Sequence, residues 1–77
     1  MNKAIALHVD ARQLSCPMPL LKAKQGLNKT PSGELVEVLT SDPQSLRDFQ
    51  AFARLSGNIL LEYSENQGVF CFVLRKA

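Results

Sequence analysis

A chain of 77 residues is one domain, 1–77, with no room for a second core. Its 45% hydrophobic and 21% charged content exclude a disordered chain, and no apolar run approaches the ~20 residues needed to cross a bilayer. A formal net charge of +2 with few aromatics argues against direct nucleic-acid binding, which at this size calls for a more basic surface with interleaved aromatic rings.

In chain order, residues 4–9 alternate, with Ile5, Leu7 and Val9 on one face, which predicts a half-buried strand. Asp10 to Ser15 reads as a loop. A helix then runs to about Asn28, with Leu20, Ala23, Lys24 and Leu27 at helical spacing and Leu21 widening the stripe. Pro31-Ser32-Gly33 is a turn signal, and Glu34 to Thr40 is a second strand. Ser41-Asp42-Pro43 starts a second helix, with Asp42 as its N-cap and Pro43 at its first position. Leu46, Phe49, Phe52 and Ala53 share one face of it, and Gly57 ends it. Ile59 to Tyr63 is a third strand, Glu65 to Gly68 a hairpin loop and Val69 to Leu74 a fourth strand.

The order is therefore βαβαββ, an α+β fold. Right-handed crossovers put both helices on one face of the sheet when successive strands add in one direction, and the hairpin makes the last strand antiparallel. Phe70, Phe72 and Leu74 are expected to point to the core, with Cys71 and His8 on the other face.

The informative motif is Cys16-Pro17-Met18-Pro19. Two prolines are tolerated in a helix only in its first turn, where the N–H groups lack intrahelical acceptors. Cys16 then sits at the N-cap, Pro17 at the first helical position and Pro19 two further on. A thiol there meets the positive end of the helix dipole and unpaired N–H donors, which favour the nucleophilic thiolate. Ser15 could equally be the cap, with Cys16 merely packed.

Other chemistries find little support. Cys16 and Cys71 are too far apart in sequence for a CxxC pair, and a single His leaves a metal site short of ligands. No glycine loop for phosphate or cofactor is present, so neither a metal nor a cofactor is expected. The first ten residues lack the apolar run of a signal peptide, so a cytoplasmic location is expected, and a disulfide is not. Lys22, Lys24 and Lys29 form a basic cluster that is either a docking patch for an acidic partner or a solvated helix face.

The chain resembles the TusA/SirA-like family of small sulfur-carrier proteins. The resemblance rests on the CPxP box with its following Leu20-Leu21-Lys22 and on Asp10 after the first strand. It extends to Ser41-Asp42-Pro43, Arg47-Asp48-Phe49 with Phe52, Gly57-Asn58 and the closing Phe72 to Lys76. The chain departs from the family at Gln13, where glycine is common three residues after the aspartate, which bears on the loop before Cys16. The resemblance implies a two-layer sandwich with a four-stranded mixed sheet and two helices on one face. It also implies that Cys16 accepts sulfane sulfur as a persulfide from a cysteine desulfurase or rhodanese-like donor, with Pro17 and Pro19 as motif support. A downstream acceptor protein would take that sulfur, for tRNA 2-thiouridine synthesis or another sulfur-trafficking pathway. Such a chain is a carrier in a sulfurtransferase-type relay rather than a free-standing enzyme.

Two other readings stand beside it. The same β/α order resembles the C-terminal domain of a bacterial translation initiation factor, which suggests a small regulatory module binding protein or RNA without persulfide chemistry. A thiol peroxidase or reductase would need Cys71 as resolving thiol, although that residue is expected to face away.

Overall fold

The computed structural model describes residues 4–15 and 17–77. Its elements are β1 (Ile5–Ala11), α1 (Met18–Asn28), β2 (Leu35–Thr40), α2 (Ser45–Ser56), β3 (Ile59–Asn66) and β4 (Val69–Arg75). The βαβαββ order and the α+β class are as the pattern predicts. One four-stranded mixed sheet has the order β1-β2-β4-β3, with β1 parallel to β2 and β4 antiparallel to both of its neighbours.

The alternation of the strands explains the two layers. Val36 and Val38 of β2 and Phe72 and Leu74 of β4 turn towards the helices and are fully buried. There they meet Ala23 and Leu27 of α1 and Phe49 and Ala53 of α2 in one core. The Phe49 and Phe72 rings stack with centroids 4.5 Å apart, joining α2 to the centre of the sheet. Gly26 lets α1 approach β1. A Cβ at that position would stand 3.0 Å from both Leu7 Cδ2 and Val9 Cγ2.

Three element boundaries differ from the sequence expectation by two residues or more. Residues 10 and 11 belong to β1 rather than to a loop, because Asp10 and Ala11 continue the parallel pairing with Leu39 and Thr40. Strand β3 runs on to Asn66, and the hairpin loop shrinks to Gln67 and Gly68, both with positive φ (52° and 80°). A two-residue turn of that hand matches the twist of the strands and keeps them paired up to it. At α2, Asp42 is not the cap of the helix proper. Its carboxylate accepts the Gln44 N–H at 3.0 Å and its carbonyl accepts the Ser45 N–H at 3.0 Å, forming a turn that delivers the chain to a cap at Gln44.

The topology brings both helix starts to one end of the sheet. Because β1 and β2 are parallel and each is followed by a helix, residues 12–15 and 41–44 leave the sheet side by side.

Candidate functional site

Cys16 lies outside the described residues, so its surroundings are built from the residues on either side. Met18 donates its N–H to the Ser15 carbonyl at 2.9 Å, and Leu21 donates to the Pro17 carbonyl at 3.1 Å. Accepting that first intrahelical bond makes Pro17 the N-cap, with Met18 first and Pro19 second in α1. The expectation that Cys16 caps the helix and Pro17 begins it is thus corrected by one residue. The physical reason is the backbone of Pro17, whose ψ of 12° lies outside the helical well. Among the described residues no side chain caps the helix, Ser15 included.

The prolines also reduce the number of donors. Residues 17 and 19 have no N–H, and that of Met18 is committed to Ser15. The helix start therefore acts mainly through its dipole, which no acidic residue in the first turn of α1 offsets. Ser15, Pro17 and Met18 are exposed, while Pro19 is buried and fixes the first turn against the domain.

The loop leading to this point is held at two places that composition alone did not flag. Arg12 donates its Nε and Nη2 to the two carboxylate oxygens of Asp10 at 2.9 and 2.8 Å, and its backbone N–H to Oδ1 at 3.1 Å. These hydrogen bonds lower the Asp10 pKa from 3.8 to about 2. Gln13 adopts φ 66°, the left-handed conformation that glycine takes without strain. Its N–H is accepted by the Ser41 hydroxyl at 2.7 Å, tying the loop before α1 to the loop before α2. A short Asp-x-Arg spacing and a serine after a strand are common in loops, so neither contact could be singled out from sequence. Asp10, Arg12, Gln13, Ser41 and Val69 line a polar cleft of about 450 Å³ at this end of the sheet.

Beside the start of α1, the two helices leave an open, mainly apolar groove of about 430 Å³ bordered by Leu20, Phe52 and Leu55, with Lys24 and Asp48 as its charged residues. Leu55 is 82% exposed, and Met18 and Leu21 are about 40% exposed nearby in sequence. The Lys24 Nζ lies 5.9 Å from the centre of the Phe52 ring. Around the groove the helix layer is basic. Lys22, Lys24 and Lys29 accompany α1 with no acidic residue, and α2 carries Arg47 and Arg54 against Asp48.

His8 and Cys71 lie on the sheet face opposite the helices, as expected. Cys71 is a free, half-buried thiol. Among the described residues no group of three His, Cys, Asp or Glu is placed to hold a metal ion, and no helix is long and apolar enough to cross a membrane.

Comparison with known proteins adds to this geometry. The family described as Sulfurtransferase TusA matches residues 8–76. The sulfur carrier protein TusA of Allochromatium vinosum is 45% identical over 69 residues, covering 90% of this chain and 91% of the relative. A sulfur carrier protein TusA of Pseudomonas putida is 34% identical, covering 88% and 85% respectively. The crystal structure of a SirA-like protein from Desulfitobacterium hafniense superposes with a TM-score of 0.78 at 28% identity, covering 90% of this chain and 95% of that one.

Proposed function

This chain belongs to the TusA sulfurtransferase family, and on that premise we propose that it is a sulfur carrier with Cys16 as its persulfide-forming residue. In this reading the Cys16 thiolate attacks the terminal sulfur of a donor persulfide. A new S–S bond forms at Cys16 as the donor's S–S bond breaks, and the donor cysteine leaves as its thiolate. The acceptor repeats the exchange in the other direction, so one sulfane sulfur is handed on without an external oxidant.

The observation that carries the reading is the exposed helix start flanking position 16. Ser15, Pro17 and Met18 are open to solvent, and no acidic side chain in the first turn opposes a thiolate. A relay needs access more than a pocket, since the reacting partner is another protein's cysteine. Pro17 and Pro19 support the motif by stiffening the junction between loop and helix. The apolar groove with its basic surround suits a protein partner whose docking surface is acidic around an apolar centre. A cysteine desulfurase or rhodanese-like protein as donor, a downstream protein as acceptor, and use in tRNA 2-thiouridine synthesis or another sulfur pathway of the cytoplasm complete the proposal.

Intact mass after incubation with a cysteine desulfurase and cysteine tests it. The expected result is a gain of one sulfur, removed by reductant and absent from Cys16→Ser. Equal loading of that variant would overturn the assignment. Failure to load with either donor class, together with salt-dependent RNA binding unaffected by Cys16→Ala, would favour the regulatory module instead.

A further inference from the structure

The second cysteine stands in surroundings of the opposite kind. Cys71 of β4 turns away from the helices, and its Sγ donates to Glu37 Oε2 on the neighbouring strand β2 at 3.5 Å. The other oxygen of that carboxylate, Oε1, is held by His8 Nδ1 of β1 at 2.8 Å, so the Glu37 side chain is fixed between the two strands that flank its own. From the other side, β3 pairs Ser64 with Cys71 and brings Glu62, opposite Val73, close enough for its charge to act on the thiol. Further off on this face, Asp10 is engaged by Arg12, and Arg75 lies four residues along β4. Among the described residues, the charged groups that act on Cys71 are thus two carboxylates, where a reactive cysteine needs a cation or a helix start.

We infer that Glu37 is a specificity-determining residue, which keeps Cys71 a protonated thiol and so confines sulfur uptake by this chain to a single position. The last clause rests on the carrier reading for Cys16; the silencing of Cys71 does not. Persulfide transfer requires a thiolate to attack the donor's terminal sulfur, and a thiol that stays protonated does not compete for it. Burial first, then the charge and hydrogen bond of Glu37, push Cys71 from its ordinary value of 9.0 up to about 11. A reactive second thiol on a carrier would compete for sulfur on the sheet face opposite the helices, away from the face that carries α1.

The test is alkylation of Cys71 by iodoacetamide across pH 7–11 in the Cys16→Ser background, with and without Glu37→Gln. Glutamine keeps the shape and can still bond to His8 and to the thiol, and thermal melting confirms that the variant is folded. The expected result is a midpoint shifted to lower pH and a rate at pH 8 raised about threefold. Each unit of lowered pKa gives about tenfold more thiolate, partly offset by lower nucleophilicity. A Glu62→Gln variant is expected to move the midpoint the same way by less. An unchanged midpoint in Glu37→Gln overturns the proposal whatever Glu62→Gln does, as does a rate raised equally at every pH, which reports access rather than charge. Loading of the wild type by a cysteine desulfurase and cysteine is scored separately. Its absence would overturn the carrier reading, while a shifted alkylation midpoint would still establish that Glu37 adds to burial in keeping Cys71 protonated.

Discussion

The Gln13 N–H meets the Ser41 hydroxyl at 2.7 Å, joining the two loops that deliver the chain into α1 and α2. Both residues sit just beyond the parallel strands β1 and β2, so this one bond crosses between neighbouring exits at the same end of the sheet. Removing the acceptor in Ser41→Ala leaves an N–H that water can reach, because Gln13 is exposed. The expected loss is about 0.5–1 kcal/mol, read as a lower urea midpoint at unchanged m-value. The same variant is expected to alkylate Cys16 at an altered rate while Cys71 is unaffected, since the loop before α1 loses one of its two anchors and β4 loses none.

Gln13 also carries backbone strain. At φ 66° it occupies the region where a side chain is disfavoured. Gln13→Gly relieves the clash but frees the unfolded chain, so a net gain of a few tenths to about 1 kcal/mol is expected. Gln13→Val, β-branched, should lose about 1 kcal/mol or more by chemical denaturation.

A buried hydroxyl offers a second route to stability. Thr40 ends β2 fully buried, and its Oγ1 has no hydrogen-bond partner among the described residues. Valine has nearly the same shape without the polar atom. Thr40→Val is therefore expected to raise stability by about 1 kcal/mol, measured by urea denaturation. A loss of stability would mean that the hydroxyl is satisfied in solution.

The fold was legible where periodicity was strong. The alternation of Leu7, Val9, Phe70, Phe72 and Leu74 placed the sheet face, and the same parity put Cys71 opposite. Boundaries were less legible because prolines and aspartates signal turns as readily as helix caps. Pro17 and Asp42 each shape a turn one or two residues ahead of the helix that sequence alone attaches directly to them. Around the candidate site, the exposed start of α1 could be read from Pro17 and Pro19. The Gln13–Ser41 bond spans 28 residues and the Cys71–Glu37 contact 34, so no local pattern encodes either one.

Gly26 illustrates the same gap. Within a helix, alanine is ordinarily favoured over glycine by about 1 kcal/mol. Here an added methyl would press on Leu7 and Val9 at 3.0 Å each. Both neighbours are packed against the core, and overpacking costs about 1–3 kcal/mol. Gly26→Ala is thus expected to lower the melting temperature despite its helix preference, and an increase would show that β1 yields.

The Asp10–Arg12 pair sets an acid limb to stability. Arg12 hydrogen bonds hold the Asp10 carboxyl at about 2 in the folded chain, below its ordinary 3.8. The unfolded chain therefore takes up the proton first as pH falls. A group depressed in this way stabilises the fold above its unfolded value, and the contribution disappears as pH drops through the folded value. The stability difference between wild type and Asp10→Asn is expected to be constant above about pH 5 and to shrink between pH 4 and pH 2. Because both side chains are largely exposed, the difference should also diminish in high salt. Urea midpoints at a series of pH values, with and without added salt, provide the check. A difference that stays flat down to pH 2 would mean that the Arg12 contacts do not persist in solution.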